Sequence, residues 1–142
     1  MNIRLSTEVD DELLQEFKAK EWPRVDREHY GELLLDFSSH TCTLVAEDDR
    51  LIVGYGKLSA ELGVARIESL IVGAEYRRQG IARELVRGLE EAAVHLGCHK
   101  ICLETGAEWE AKALYEQLGY TVRAHLSNHY GGQDFLYYEK SL

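Results

Sequence analysis

The sequence predicts one mixed α/β domain whose central sheet contains a parallel pair of strands. Three observations point there. First, 142 residues suit a single domain of ordinary size, and a second domain would leave both cores starved. Second, the spacing of apolar residues changes along the chain between helical and alternating periods. Third, the strongest helical stripe lies between two strand-like runs, Val64 to Val72 and Lys100 to Glu104. A helix crossover makes the strands it joins parallel.

Taken in order, Asn2 to Leu5 reads as a short strand. Thr7 or Asp10 caps a helix in which Leu13, Leu14 and Phe17 form an apolar stripe. The ring of Pro23 disfavours helix at Trp22 and is expected to end it. A second helical pattern follows, with Tyr30, Leu33, Leu34 and Phe37 on one side. The period then becomes β-type. Thr41 to Glu47 and Leu51 to Ser59 read as a hairpin joined at Asp48-Asp49-Arg50. In the Val64 to Val72 strand, alternation puts Ile67, Ser69 and Ile71 on one face and Arg66, Glu68, Leu70 and Val72 on the other. The clearest helix runs from Ile81 to about His95, with Ile81, Leu85, Val86, Leu89, Ala92, Ala93 and Leu96 in its stripe and Gly97 as a stop. Lys100 to Glu104 is a strand and Ala111 to Leu118 a short helix. Tyr120 to Leu126 and Gln133 to Tyr138 close the chain as strands. The predicted order is β-α-α-β-β-β-α-β-α-β-β, with no repeat or linker.

Charge and cysteines bound the function. Sixteen Lys and Arg stand against 25 Asp and Glu, a net charge of −9. That balance argues against a nucleic-acid partner, which requires a basic face. It is compatible with a cationic small substrate, and equally with ordinary solubility. No apolar run approaches the ~20 residues of a membrane span, and the first residues carry no leader pattern. With three cysteines, Cys42, Cys98 and Cys102, the expectation is a soluble cytoplasmic protein with reduced thiols.

The informative segment is Ile67 to Ala82: a strand, a basic turn with a glycine, then the best helix. Free backbone N–H groups at a helix N-terminus meet the positive end of its dipole. Gly80 lets the backbone approach a bulky anion, small Ala82 leaves room, and Arg77, Arg78 and Arg83 add positive charge. These are the ingredients of a phosphate or pyrophosphate cradle. The alternative is that Gly80 only permits a tight turn. Neither G-x-x-x-x-G-K-[ST] nor G-x-G-x-x-G is present.

Arg77-x-x-Gly80-x-Ala82 matches the [Q/R]-x-x-G-x-[G/A] signature of the GNAT superfamily, the acetyl-CoA-dependent N-acetyltransferases. Ser69-Leu70-Ile71-Val72 resembles that family's splayed fourth strand. Ala113 to Tyr120 resembles its A-x-x-L-Y-E-x-L-G-[F/Y] ending, and Asp134 to Lys140 its closing strand. The resemblance covers essentially the whole chain, most specifically Glu68 to Tyr120. It implies a single GNAT-like domain over residues 1–142, with strands 4 and 5 parallel and splayed. It also implies acetyl-CoA as cosubstrate. Amides and side chains of Arg77, Arg78, Gln79, Gly80, Ile81, Ala82 and Arg83 would hold its pyrophosphate. The backbone of Leu70, Ile71 and Val72 would pair with pantetheine.

The same resemblance gives Tyr115 the role of leaving-group acid; a phenol of reference pKa about 10 is neutral and able to donate. Without it Tyr115 reads as a core-edge tyrosine. Glu68 is the candidate base, working through water, or else a rim carboxylate binding a cation; Glu104 is a lesser alternative. Glu108 stands where the family often has Asn, and a carboxylate accepts hydrogen bonds without donating them. Trp109 beside it either packs over the cofactor or covers the core. His95, Cys98, His99 and Cys102 have close spacing but straddle a helix end and a strand, so no metal is expected. In the last loop His129, or Tyr130, is a candidate substrate contact, as are Trp22 and Tyr30 in the variable region before the hairpin.

The resulting expectation is an N-acetyltransferase moving acetyl to a primary amine by direct transfer in a ternary complex. A small cationic amine is favoured over a protein amine. No cysteine has a visible adjacent base. The alternatives are a non-catalytic acyl-CoA sensor and an interaction module with the same fold. Tyr130, Phe135, Tyr137 and Tyr138 are a possible homodimer surface, or else only close the sheet.

Overall fold

The computed structural model describes residues 1–32 and 36–142. They fall into two compact units, Met1–Asp36 and Phe37–Leu142.

The N-terminal unit is built on helix α1, Asp11–Tyr30. Its start is fixed by Asp10, which accepts the Thr7 backbone N–H at 2.8 Å and both Arg4 guanidinium nitrogens at 2.7 Å. Arg4 first, then the Thr7 amide, holds the Asp10 carboxyl at about 2. Two expectations fail here. Asn2 to Leu5 is not a strand: it pairs with none of the six strands of the sheet, and a strand needs a partner. The helix also continues through Pro23. A proline removes one intrahelical hydrogen bond, and the carbonyl it orphans belongs to exposed Ala19, where water can take it. The second helical pattern is not formed at its described ends. Tyr30 closes α1 and Phe37 is irregular, while Leu33 and Leu34 lie outside the described residues.

The C-terminal unit carries the sheet. Its strands are β1 His40–Asp48, β2 Leu51–Glu61, β3 Val64–Val72, β4 Lys100–Gly106, β5 Thr121–Leu126 and β6 Phe135–Ser141, in spatial order β1-β2-β3-β4-β6-β5. The β1–β2 hairpin turns on Asp49 and Arg50, both left-handed, the geometry that matches strand twist in a two-residue turn. All neighbours are antiparallel except β3 and β4, which the crossover helix α2, Ile81–His95, makes parallel. A short helix α3, Ala111–Gln117, follows β4.

The helical spacing read in α2 is the core. Leu85, Val86, Leu89 and Ala93 are buried against β1, β2 and β3. Val86, Leu89 and Ala93 join Leu58, Ile67, Ile101, Leu103 and Tyr138 in one apolar cluster. Phe135 and Tyr138 are buried, so they are not part of an exposed aromatic surface. Inward-facing positions of a central strand go to the core before they go to any partner.

Alternation in β3 also departs from expectation. Ile67 faces Leu58 and Ser69 faces Lys57, so Glu68 is an extra residue with no partner on β2. Such a bulge inverts the alternation beyond it. Ala65 and Ile67 are buried before it; Leu70 is half-buried and Val72 buried after it, while Ile71 is 55% exposed.

Leu89 is fully buried at the α2–sheet contact. Leu89→Ala is expected to lower the unfolding free energy by about 2–5 kcal/mol in urea titration. Val94→Ala on the exposed side of the same helix should change it by less than about 0.5 kcal/mol.

Candidate active site

The parallel ladder is three residues long. Val64, Ala65 and Arg66 pair with Lys100, Ile101 and Cys102, and no pairing follows. From Ile67 onward β3 keeps β2 on one side and leaves its other edge open. The gap is a cleft of about 350 Å3. Glu68, Ser69, Leu70 and Ile71 form its β3 wall, and Leu103, Glu104 and Thr105 its β4 wall; Tyr55, Trp109, Ala111 and Tyr115 complete it. An unpaired strand edge offers N–H and C=O groups to an extended molecule, which can add as a strand does.

Tyr115 reaches the cleft from α3. Its ring meets the edge of Tyr120 at 5.6 Å and tilts on Tyr138 at 6.2 Å. α3 is held by the Tyr138 hydroxyl donating to Glu116 at 2.9 Å and by Arg83 donating to Gln117 at 3.0 Å. Burial pushes the Tyr115 phenol up to about 12. The group is therefore a neutral acid throughout the working pH range.

Two carboxylates share one guanidinium on the cleft walls. The Ser59 hydroxyl donates to Glu68 Oε1 at 2.6 Å, and Arg66 Nε lies 3.8 Å from Glu68 Oε2. Arg66 Nη2 also lies 3.2 Å from Glu104 Oε2, and His129 Nε2 lies 3.6 Å from the same oxygen. Burial opposes the Arg66 charge, but the pull of Glu104 and then Glu68 outweighs it and raises the guanidinium. The loop bearing His129 is tied by Asp134, which accepts the Asn128 N–H at 2.9 Å and contacts His125 Nε2 at 2.8 Å.

Past Val72 the chain makes a 3-10 turn, Ala74–Tyr76, then enters α2 through Arg78 at φ +60° and Gly80 at φ +84°. Gly80 has open space where a Cβ would stand, so the glycine serves the left-handed turn and leaves the approach to the helix clear. No side chain caps α2, which leaves its first N–H groups available. Arg77 Nε leans to the Val72 carbonyl at 3.5 Å and Gln79 to that of Glu75 at 3.5 Å, whereas Arg83 is turned to α3.

Residues 8–120 match the model of the Acetyltransferase (GNAT) family. The chain belongs to this family. Human N-acetyltransferase 8 is 37% identical over 87 residues, which is 56% of this chain and 38% of that protein; the match thus spans well under half of that relative's length. An acetyltransferase from Bacillus cereus ATCC 14579 has the same fold over 100% of this chain and 98% of its own, with a TM-score of 0.77 at 21% identity. A GNAT family acetyltransferase from Elizabethkingia anophelis, solved with acetyl-CoA bound, covers 70% of this chain and 75% of its own, with a TM-score of 0.66 at 17% identity.

The expected GNAT positions divide into two sets. Glu68, Leu70, Ile71 and Tyr115 line one cleft, and Val72 leads from it into the turn carrying Arg77 to Arg83. Trp22 and Tyr30 lie on α1, in the other unit. Glu108 is exposed in the turn after β4. Trp109 lines the cleft; its ring covers Gly106, where a Cβ would come within 2.5 Å, and meets Phe135 edge-on at 5.3 Å. Among the described residues no group of three or more His, Cys, Asp or Glu side chains could hold a metal, and no helix is long and apolar enough to cross a membrane. Sequence reasoning missed Arg66 and Ser59. The two-residue spacing of Arg66 and Glu68 was a signal for the first; Ser59 needed the hairpin register.

The Asn128 amide first, and His125 next, hold the Asp134 carboxyl below its ordinary value. Loop order from this clamp is complete at neutral pH and is lost as pH falls through that depressed value. Asp134→Asn is expected to speed amide exchange at Asn128 and loosen the His129 loop at pH 7, as read by hydrogen-exchange NMR.

Proposed function

We propose that the protein transfers an acetyl group from acetyl-CoA to a primary amine, directly, in a ternary complex. The observation that carries this is the cleft itself. It joins an open β3 edge, a neutral Tyr115 phenol and two carboxylates in one space, beside an uncapped helix entrance. Those residues fit the cosubstrate. The edge from Leu70 to Val72 suits the amides of an extended pantetheine arm. The Gly80 turn and the N-terminal amides of α2 suit a pyrophosphate, with Arg77 and Arg78 nearby. When bound, acetyl-CoA supplies an acyl group activated as a thioester.

The chain's own groups supply the proton chemistry. Tyr115 lines the cleft and burial keeps its phenol protonated, so it can donate to a departing thiolate. Glu68, the base expected from the sequence, is anchored through both oxygens and first meets the incoming ammonium. Two carboxylates against one guanidinium favour a small cationic amine over a neutral acceptor. Direct transfer is supported by the thiols: Cys98 and Cys102 are buried, and none of the three cysteines lines the cleft.

Calorimetric titration with acetyl-CoA, followed by thiol release with a panel of amines, tests the proposal. Binding with release for one amine class is the expected result; binding without release would indicate an acyl-CoA sensor, and no binding would overturn the reading. Gly80→Asp is expected to abolish CoA binding in calorimetry, since a side chain and a negative charge would occupy the anion approach. Tyr115→Phe is expected to cut kcat by about 100-fold while leaving CoA affinity intact.

A further inference from the structure

We propose that the proton released by the acceptor leaves the cleft through Glu104 to His129, and from His129 to solvent; this rests on the acetyl transfer inferred above. The need comes from counting hydrogens. An ammonium nitrogen carries three, and the amide product keeps one. One of the two lost protons ends on the thiol sulfur. The other is released to water on every turnover.

The geometry supplies one route. Glu68 has Oε1 bonded to the Ser59 hydroxyl and Oε2 turned to Arg66. Glu104 differs. It lines the cleft, its side chain is only 16% exposed, and Oε2 is sealed from solvent with no hydrogen bond. Arg66 Nη2 at 3.2 Å gives that oxygen an ion pair without hydrogen-bond alignment. A buried carboxylate oxygen left without a donor is costly. The group placed to fill the vacancy is His129 Nε2 at 3.6 Å, which a small ring movement brings into range. His129 does not line the cleft, and its side chain is 35% exposed. The pair therefore spans from cleft wall to solvent. The ring is seated by Tyr130 at 4.2 Å and Phe135 at 5.8 Å, on the loop tied by Asp134.

The groups facing Glu104 are Arg66 and Glu68 on β3, Tyr137 opposite it on β6, His129 on the loop, Tyr115 across the cleft and Cys102 on its own strand. An imidazole takes and releases protons near neutral pH. The steps balance. The ammonium N–H breaks, its electron pair stays on nitrogen, and the proton moves to Glu104, then to His129 Nε2, then from the other ring nitrogen to water. The nitrogen pair forms the C–N bond as the C–S bond breaks. The sulfur takes the Tyr115 proton, and Tyr115 regains one from the nitrogen. Acetyl-CoA and ammonium give amide, CoA thiol and one proton.

The test measures kcat and KM for wild type, Glu104→Gln, His129→Ala and Glu68→Gln, with acetyl-CoA and two probe amines, n-butylamine and trialanine. Glu104→Gln should lose about 100-fold in kcat with the acetyl-CoA KM unchanged. His129→Ala should lose about 10-fold and regain rate in proportion to added imidazole, which a merely structural histidine would not show. Glu68→Gln should act chiefly on the amine KM. Wild-type kcat in Glu104→Gln or in His129→Ala, or loss without imidazole rescue, overturns the route. A second arm needs no turnover: the His129 ring resonances are followed against pH by NMR in wild type and in Glu104→Gln. A midpoint moved to lower pH in the variant supports the pair, and an unmoved midpoint overturns it. Absent acetyl-CoA binding in calorimetry is the separate failure of the acetyl-transfer reading.

Discussion

The structure depends on where one parallel ladder stops. β3 and β4 are hydrogen-bonded for three residue pairs and then part. Continued pairing would have satisfied the β3 edge and closed the sheet. Stopping it leaves a row of backbone donors and acceptors facing a cavity, which is costly unless something else binds there. The two strands cannot simply drift apart, because each is held on its other side. β2 pairs along β3 on both sides of the Glu68 bulge, and β6 pairs along the whole of β4. The gap is thus built into a rigid frame, and α2 locks its shared end by burying Leu85, Val86, Leu89 and Ala93.

The bulge at Glu68 falls at the point of divergence. Inserting one residue there turns Leu70 and Val72 toward the apolar side and Ile71 away from it. Beside it, Arg66 and Glu68 are in ion-pair contact. Arg66 then reaches across to Glu104 on the other wall. One irregularity in one strand therefore sets which side chains of the open β3 edge face the apolar side.

Burial divides the chemistry of the cleft. Tyr115 sits among Tyr120 and Tyr138, and desolvation keeps its phenol protonated. Glu68 and Glu104 instead share the Arg66 guanidinium between the two walls. A buried phenol and a shared ion-pair group thus lie on two sides of one cleft.

The α2 stripe, the hairpin at Asp48 to Arg50, the crossover and the Gly80 turn were all legible in the sequence, because each is set by neighbours within a few residues. So was the family, carried by Arg77, Gly80 and Ala82 and by the run ending at Tyr120. Local rules misread Pro23, whose cost one hydrated carbonyl absorbs, and Asn2 to Leu5, whose pairing depends on an edge elsewhere. They also misread the faces of β3, because a bulge is a mismatch between two strands and neither sequence shows it alone. Only the tertiary structure brought Ser59, Arg66, Glu104 and His129 together. They come from four separate segments, and their contacts are decided by strand register and by where the β3–β4 ladder ends. The sequence by itself determined most of the elements and the left-handed turn at Gly80, which are set by near neighbours; the long-range pairing of those elements decided which charges meet across the cleft.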